Sequence, residues 1–553
     1  MRDRRQVSLF LSISLLLLVL MMVQSATGLA VAAEVTTRYV AQGGTDASDC
    51  TVPAEPCGTV QYAVDAAGSG DIIKIAAGTY VDIHSRPAPA EYLGAEDMLQ
   101  VAYIAKTVTL QGGYLFPGFA EPPDPEVNQT TLDAASQGRV LFIAGDVAPR
   151  IEGLHITGGD ASGLGGGELA WQDAGGGVYI LGAEATLVGN WVFSNAAELY
   201  GGGLYLSHSN SVIEANMISE NRATDRDWGH GGGLALVTSH ARLYGNTIIA
   251  NHAGYRGGVL FLSSSNATLI GNIVNGNVSL SDGGGFCFLN SDAASLLGNT
   301  ITGNSAGIGG GFLLNNSDVT MRRNAVSGNV ASAMGGGLAM WFSKPELDGN
   351  SISGNVAAEG GAGLDLSWYS HALLTNNLIA GNRAGTGGGA LCIQDSSPRL
   401  LHTTIVSNTG SAGAIRVTGY AAQSSIAMTN TILVSHTLGI TVSAGNTATL
   451  EATFWGTGDW ANGVDWNGEG DIDVGDINVW GDPDFTCTDG GCPAPYRLGP
   501  DSDALDEGVS AGIRTDIDLE LRPYQEPDPG ADEYWPPGAL KWIYLPVALR
   551  GAP

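Results

Sequence analysis

The sequence has little charge and very few basic residues. Only 14% of its 553 residues are charged, and 24 Lys and Arg stand against 55 Asp and Glu, giving a formal net charge of −31. A surface this acidic repels phosphate groups, so nucleic acid is excluded as a partner. The same charge suits divalent cations or basic partners, or it simply keeps a large exported chain soluble.

Helical and collagen-like patterns are also missing. Between residues 175 and 410, no ten-residue window has the apolar spacing of an amphipathic helix, which excludes helical solenoids. Gly makes up 81 of the 553 residues but does not recur at every third position, so a collagen triple helix is excluded. A long chain without either pattern is typical of a β-solenoid, which grows by adding coils.

The longest apolar run stands at the N-terminus, where residues 7–23 follow three arginines and precede a small-residue site at 30–33. This three-part layout predicts a cleaved secretory signal peptide over residues 1–33. The alternative is an uncleaved anchor, although the run is at the short limit for spanning a bilayer. We expect a secreted or cell-surface protein with no transmembrane span in the mature chain.

Two motifs recur along the chain with one period of about 26 residues. A glycine cluster appears nine times, from Gly175–Gly177 to Gly387–Gly389. In step with it, the pattern Asn-x-Ile/Val-x-x-Asn begins at Asn190, Asn216, Asn246, Asn272, Asn299, Asn324, Asn350 and Asn377. Two independent markers with the same period indicate a repeat solenoid of about ten or more coils.

A short alternating segment follows each glycine cluster. Its first and third positions are large and apolar, as in Leu204-Tyr205-Leu206, which is the period of a β-strand with one face inward. We predict an all-β fold, a single-stranded right-handed parallel β-helix. Its inward rows are expected at Leu204, Leu234, Phe286, Phe312, Leu338 and Leu364.

The repeated Asn and Gly residues are interpreted as structural, because stacked asparagines form amide ladders and glycines supply the turns. Stacking also separates two cysteines. Cys287 is expected to point outward and Cys392 inward, about 19 Å apart over four coils, so both are expected to be free thiols. The other cysteines flank short loops and are expected to form two disulfides, Cys50–Cys57 and Cys487–Cys492.

An open solenoid exposes its core at both ends, so caps are expected. We predict that residues 34–450 form the β-helix, which begins with a short N-terminal capping helix. Residues 451–535, rich in Asp, Trp and Gly, are predicted to form a C-terminal cap region. Residues 536–553 form an apolar tail that is too short to span a membrane. The tail is either an anchoring or sorting segment or a strand packed on the cap.

Both ends of the solenoid resemble known families. The opening run Cys57-Gly58-Thr59-Val60-Gln61-Tyr62-Ala63 resembles the start of pectin-lyase-like right-handed β-helix proteins. The closing run Gly481-Asp482-Pro483-Asp484-Phe485 resembles the choice-of-anchor Q group of exported bacterial proteins, although Asp503 replaces a proline of that group. The repeats with Phe193-Ser194-Asn195 resemble those of polymorphic outer-membrane proteins. The resemblance covers about residues 38–535 and implies fold and export, not an activity.

Whether the chain is an enzyme stays open in its sequence. Polysaccharide lyases of this fold need a carboxylate Ca²⁺ site and a base, and hydrolases need paired acids. The sequence has no Asp-Asp pair, and of the familiar signatures it has only Gly229-His230-Gly231. We therefore predict non-catalytic binding of glycans or surfaces. The alternatives are a lyase or hydrolase acting on acidic polysaccharide and, third, a structural spacer.

Binding or chemistry is expected around the one 30-residue repeat, whose insertion at residues 223–230 should emerge as a loop. The groups that stacking should bring together there are Glu198, Tyr200, Asp225, Arg226, Asp227, Trp228, His230, His252, Tyr255, Arg256 and Asp282. Arginines would bind an acidic sugar, Trp228 would stack on it, and His230 or Asp227 would titrate. The alternative is a surface loop held by salt bridges to Arg256.

Aromatic residues also recur one coil apart. The pairs Trp341-Phe342 and Trp368-Tyr369 follow the same predicted strand in successive repeats. Two stacked aromatic rings on one face would form a platform for a sugar chain. The alternative is a turn packed on its neighbour.

An acidic run near the C-terminus invites a metal-binding interpretation. Asp471, Asp473 and Asp476 alternate with apolar residues, and converging carboxylates would hold Ca²⁺. The alternative is a solvated loop. We expect no required cofactor, with Ca²⁺ as the one candidate ion. A polysaccharide or cell-surface glycan is the expected partner of a monomeric chain.

Overall fold

The computed structural model describes residues 35–224, 227–488, 492 and 494–539. The predicted signal peptide therefore lies outside the described residues. So do Asp225, Arg226 and residues 540–553 of the predicted tail.

The chain folds as a right-handed parallel β-helix, as the repeats predict. Each coil contributes one strand to each of three long sheets, and eight central coils add a short strand to a fourth sheet. Strands of successive coils pair in parallel, apart from one antiparallel pair at the start of the third sheet. We number the three long sheets in the order in which the chain passes through them in each coil, so that the first holds Leu187 and the third holds Leu204. The short fourth sheet lies between the second and the third along the chain.

The strand bounds follow the repeat. The first sheet contains Thr37–Val40, Ile72–Ala76, Thr109–Tyr114, Arg150–Glu152, Thr186–Val188, Val212–Glu214, Arg242–Tyr244, Thr268–Ile270, Ser295–Leu297, Thr320–Arg322, Glu346–Asp348, Leu373–Thr375, Arg399–Leu401, Ser425–Thr429, Thr447–Glu451 and Asp471–Val474. The second contains Gly78–Tyr80, Thr130–Asp133, His155–Thr157, Trp191–Phe193, Met217–Ser219, Thr247–Ile249, Ile273–Asn275, Thr300–Thr302, Ala325–Ser327, Ser351–Ser353, Leu378–Ala380, Thr404–Val406, Ile432–Val434, Thr453–Gly456 and Asn478–Gly481.

The third sheet contains His84–Pro87, Asp97–Ile104, Arg139–Ala144, Val178–Leu181, Leu204–Ser207, Leu234–Val237, Leu260–Ser263, Phe286–Leu289, Phe312–Asn315, Leu338–Trp341, Gly361–Ser367, Gly389–Gln394, Ile415–Thr418, Ile440–Val442 and Trp466–Gly468. The fourth contains Ala196–Ala197, Arg222–Ala223, His252–Ala253, Val278–Ser279, Ser305–Ala306, Val330–Ala331, Val356–Ala357 and Arg383–Ala384. Helical structure is limited among the described residues to the α-helix Val60–Ala66 and a 3₁₀ turn at Gly458–Trp460.

The core runs along the axis of the coils. All six residues predicted to face inward, from Leu204 to Leu364, are completely buried in one continuous apolar cluster. Burying each such side chain contributes about 1.5–3 kcal/mol. The predicted register is therefore confirmed.

Two asparagine ladders hold the turns on either side of the second sheet. In the first, which runs from Asn190 to Asn377, each Nδ2 donates to the Oδ1 of the asparagine one coil further on, at 2.9–3.1 Å. The second runs from Asn195 to Asn408 with the same geometry. Each Oδ1 also accepts a backbone N–H, so the ladders satisfy buried amides that no strand pairs.

Truncating one ladder residue should therefore destabilise the coils. Asn299→Ala removes the acceptor of the Asn272 backbone N–H and side chain, and leaves buried polar groups unsatisfied. We expect a loss on the order of 3 kcal/mol in denaturant unfolding. Exposed Asn210→Ala is the matched control and should change stability by less than about 0.5 kcal/mol. Equal effects of the two substitutions would contradict a structural role for the ladder.

The predicted capping helix closes the N-terminal end. Thr59 caps it, since its Oγ1 accepts the Tyr62 N–H at 3.3 Å, and Val60, Ala63 and Val64 are buried against the first coils. The Cys50–Cys57 disulfide forms beside this helix with a Cα separation of 5.3 Å. Among the described residues, no helix has the length and apolar character needed to cross a membrane.

The other four cysteines pair, or stay free, as predicted, but one of them, Cys392, does not have the predicted orientation. Cys487 and Cys492 form a disulfide, while Cys287 and Cys392 are free and buried. Cys392 does not point inward, because Leu391 and Ile393 take the inward positions of its strand. It lies in the same outer row as Cys287, and burial raises the pKa of both thiols, so neither is activated.

The coils continue to Gly481, and the chain then returns along the outer face of the second sheet. We call residues 482–535 the C-terminal segment. Its apolar residues, such as Phe485 and Ile517, pack on outward residues of the last coils, such as Ile432 and Phe454. Asn430, which begins an imperfect copy of the asparagine motif, holds the C-terminal segment in place. Its Oδ1 accepts the Val509 N–H at 2.8 Å.

Buried charges also anchor the C-terminal segment. Arg522 is completely buried, lies 3.3 Å from the Glu533 carboxylate and donates to the carbonyl oxygens of Asp528 and Gly530. Burial raises the pKa of Glu533 to about 7, and burial with the neighbouring Asp532 raises the pKa of Asp516 to about 8. The segment therefore holds protons near neutral pH.

The C-terminal segment should lose stability as the pH rises. A carboxyl whose pKa is raised by folding stabilises the fold fully below its unfolded pKa and loses that contribution as the pH passes its folded pKa. From about pH 6.5 to 8.5, Asp516 and Glu533 ionise while the buried His230 and His436 stay neutral. Calorimetry should show a fall of a few degrees in Tm. The fall should persist in high salt, which screens surface charge; a flat or rising Tm would contradict it.

Candidate functional site

Four of the residues predicted to cluster form one stacked row. Tyr200, His230, Arg256 and Asp282 pair through isolated parallel bridges between successive coils, and we call them the bridge row. The rings of Tyr200 and His230 stack at 5.1 Å between centroids. The Arg256 Nε donates to the Asp282 Oδ2 at 2.9 Å. In-register stacking thus brings these groups together as the sequence predicts.

The bridge row is packed against the outer face of the third sheet. His230 stacks on Phe261 at 4.4 Å, and its side chain is 5% exposed. Burial, with the Arg256 charge, lowers the pKa of His230 to about 3, and its Nδ1 is buried without a hydrogen-bond partner. A neutral, enclosed imidazole and a paired guanidinium are poor groups for proton transfer or for binding an anion.

The remaining residues around the insertion are more open. Trp228 is 59% exposed, its ring lies 6.1 Å from that of Tyr255, and the Arg256 guanidinium lies 4.5 Å from the Tyr255 ring. Glu198 and Asp227 are exposed. His252 is half-buried in the fourth sheet beside Arg222, and burial with the Arg222 charge lowers its pKa. Asp225 and Arg226 lie outside the described residues.

Three of the four aromatic residues predicted to stack after the third sheet lie together, and Trp341 does not join them. Trp341 aligns with Ser367 and is partly buried against the outer row, so it does not stand beside Trp368. Phe342 takes that place, with ring centroids 6.2 Å from Trp368 and 6.4 Å from Tyr369. Phe342, Trp368 and Tyr369 are 48%, 47% and 49% exposed. We call these three residues the aromatic platform.

The acidic run does not assemble a cation site. Asp471 and Asp473 lie on the exposed side of the last strand of the first sheet, while Ile472 and Val474 pack on the core. Asp476 is exposed in the following turn. Within the described parts of the chain, no three His, Cys, Asp or Glu side chains are placed to hold a metal ion together. These residues do not fit a bound Ca²⁺.

A cleft with an aromatic floor was not predicted. It has a volume of about 860 Å³ and lies over the outer face of the third sheet, where Tyr103, Tyr179 and Tyr205 line it with Glu91 and Glu168. The lining residues come partly from the irregular coils before residue 175, which lack the repeat motifs, and partly from the first regular coils, up to Thr238. In the sequence, the only indication of this cleft is that tyrosines stand at outward positions of the alternating third-sheet strands.

Comparison with known proteins supports the fold. The family described as a right handed beta helix region matches residues 139–326 and again residues 311–473, which together are more than half of the chain. No curated protein matches the sequence. The crystal structure of pectate lyase Pel9A is similar with a TM-score of 0.31 and 14% identity, over 90% of this chain and 96% of that chain.

Replacing the buried histidine tests its role. His230→Phe keeps the stack on Tyr200 and Phe261 and removes the unpartnered Nδ1, so Tm at pH 7 should be unchanged or higher. Because folding lowers the pKa of His230, the wild type loses stability as the pH falls below about 6.5. The Tm difference between variant and wild type should therefore widen from pH 7 to pH 4. A constant difference would show that His230 titrates as in an exposed position.

Proposed function

The chain belongs to the right-handed β-helix family, and we propose that it is a non-catalytic binder of glycans that works outside the cell. The two disulfides and the predicted signal peptide support an extracellular location. The resemblance to the choice-of-anchor Q group favours a secreted or surface-attached chain. The observation that carries the proposal is the aromatic platform.

The aromatic platform occupies backbone positions that ordinarily take small or polar residues. The residue after each third-sheet strand has a left-handed conformation, with φ between 48° and 64° from Gly182 to Asp395. Most coils place Gly, Ser, Thr, Asn, His or Asp there, whereas Phe342 and Trp368 stand in two successive coils. A bulky residue in this conformation costs about 1–2 kcal/mol. The fold therefore tolerates these rings without needing them.

The exposure of the platform adds to this cost and points to a ligand. Three large apolar rings are about half exposed and lie on adjacent coils, about 4.8 Å apart. Contiguous exposed apolar surface on a soluble protein marks a binding site. The C–H face of a sugar ring is flat and apolar, so it can stack on such rings, and a chain of sugars can extend from one coil to the next.

Polar groups surround the platform. Lys344 and His371 each follow it by two residues, and the backbone N–H of Lys344 donates to the Asp318 carboxylate of the previous coil at 2.5 Å. Burial and, to a smaller extent, the Lys344 charge lower the pKa of His371. An apolar centre with a polar rim is the arrangement expected of a binding surface for a hydroxyl-rich ligand.

Catalysis remains a hypothesis without a supporting observation among the described residues. The candidate base His230 is buried, and the guanidinium of Arg256 in the bridge row is paired with Asp282. A lyase or hydrolase acting on acidic polysaccharide needs groups that reach the substrate.

Substitution of the platform tests the proposal. The double variant Phe342→Asn, Trp368→Asn introduces the residue that two preceding coils carry at this position, Asn290 and Asn316, so Tm should not fall. Glycans found on an oligosaccharide array should bind this variant about tenfold more weakly in calorimetry, because two stacking rings are lost.

The matched control is Trp480→Ala, which removes a ring that is also 48% exposed but belongs to the second sheet. It should bind glycans like the wild type. Failure of the wild type to bind any glycan, or equal affinities of the platform variant and the wild type, would refute the proposal.

A further inference from the structure

The unpredicted cleft is a second site on the outer face of the third sheet. It crosses the strands that hold Tyr103, Ala144, Leu181, Ser207 and Val237, which are successive coils. At about 4.8 Å per coil, it is about 19 Å long. One wall is the loop Gly166–Glu168, and the other is formed by the turns that follow the third-sheet strands. Such an open channel suits a linear ligand.

The floor of the cleft is an aromatic stack. Tyr103, Phe142, Tyr179 and Tyr205 are in register on successive strands, so their side chains lie one above another. Ring centroids are 5.4, 4.9 and 5.1 Å apart along this series, and the first two pairs are nearly parallel. Three of the four residues, Tyr103, Tyr179 and Tyr205, line the cleft.

The floor is held rigidly from below and from the side. The Tyr179 hydroxyl donates to the Gly166 carbonyl oxygen at 2.6 Å, which ties the floor to the wall loop. The completely buried Arg139 donates to the carbonyl oxygens of Gly165 and Ala174, and its guanidinium lies 4.9 Å from the Tyr179 ring. A preformed site loses little conformational entropy when a ligand binds.

The charge that a ligand meets in the cleft is negative. Glu91, Asp146 and Glu168 are exposed residues of its lining, and no Lys or Arg lines it. Among the residues that the structure describes, none of these three carboxylates forms an ion pair. Burial raises the pKa of Tyr103 and of Tyr205; the Glu91 charge adds to the first shift, against the opposing Arg86 charge, and the Glu168 charge adds to the second.

Nearby cations are already engaged. Lys106 donates to three carbonyl oxygens at the end of the capping helix, and Arg86 pairs with Asp65. Arg139 lies under the tyrosine rings, with no exposed surface. A ligand in the cleft therefore meets carboxylates and aromatic rings, while Lys106, Arg86 and Arg139 are not part of its lining.

We infer that this cleft binds a linear glycan that carries free amino groups, such as a polymer of hexosamine units. An ammonium group gains from a charge-assisted hydrogen bond to Glu91, Asp146 or Glu168 and from proximity to the tyrosine rings. A uronate chain would be repelled by the same three carboxylates. The inference rests on the proposed glycan binding but concerns different residues from the aromatic platform.

The test compares three oligosaccharides of equal length by calorimetry on the full-length exported chain. A glucosamine tetramer should bind more tightly than its N-acetylated form, and a galacturonic acid tetramer should not bind in the cleft. The double variant Glu91→Gln, Glu168→Gln should weaken glucosamine binding about tenfold or more, since two charge-assisted contacts are lost. High salt should weaken the wild-type affinity and have less effect on the variant.

The control variant Glu220→Gln, Glu359→Gln removes two exposed carboxylates outside the cleft lining and changes the net charge equally. It should retain wild-type affinity. Equal binding of the N-acetylated tetramer, an unchanged affinity of the Glu91/Glu168 variant, or tighter binding of tetralysine than of the glucosamine tetramer would each overturn the inference. If other glycans still bind through the platform, only the cleft assignment fails; if no glycan binds at all, both proposals fail.

Discussion

In-register stacking of successive coils is the constraint on which the whole structure depends. Because each strand pairs in parallel with its equivalent one coil away, every residue lies over the residue of the same repeat position. Inward positions then build one apolar core, and asparagine positions build continuous amide ladders. A change at one position acts on its neighbours above and below, which is why the repeat tolerates so little variation there.

The same constraint decides which outer positions are available for binding. Outward residues of the third sheet are covered in the central coils, where the bridge row packs over Phe261 and Cys287. The C-terminal segment covers the second sheet in the last coils. What stays open is the turn row after the third sheet, which carries the aromatic platform, and the N-terminal stretch of the third sheet, which forms the cleft. The two proposed surfaces therefore lie on one side of the β-helix.

The sequence predicts the features that the repeat encodes many times. The inward rows, the asparagine ladders and the capping helix are all confirmed, because each follows from a periodic or local pattern. Single-coil details are harder. Cys392 differs from its predicted orientation because Leu391, which pairs with Leu364, and not Ala390 begins the alternation of its strand.

Features that depend on long-range packing left no pattern in the sequence. Glu91, Asp146 and Glu168 are widely separated along the chain, and only the folded coils bring them to one cleft. The burial of His230 follows from its stacking on Phe261, which belongs to the next coil. Likewise, Phe342 rather than Trp341 stands beside Trp368, because one position in the strand decides whether a side chain packs on the sheet or projects from the turn.

The central claim is that the open positions after and along the third sheet, not the 223–230 insertion, bind the ligand. The most direct measurement is hydrogen–deuterium exchange of the chain with and without a saturating glycan. The account predicts slower exchange in the turns around Phe342 and Trp368 or along the cleft, and no change at the asparagine turns. Protection centred on residues 227–232, or on the second sheet, would contradict it.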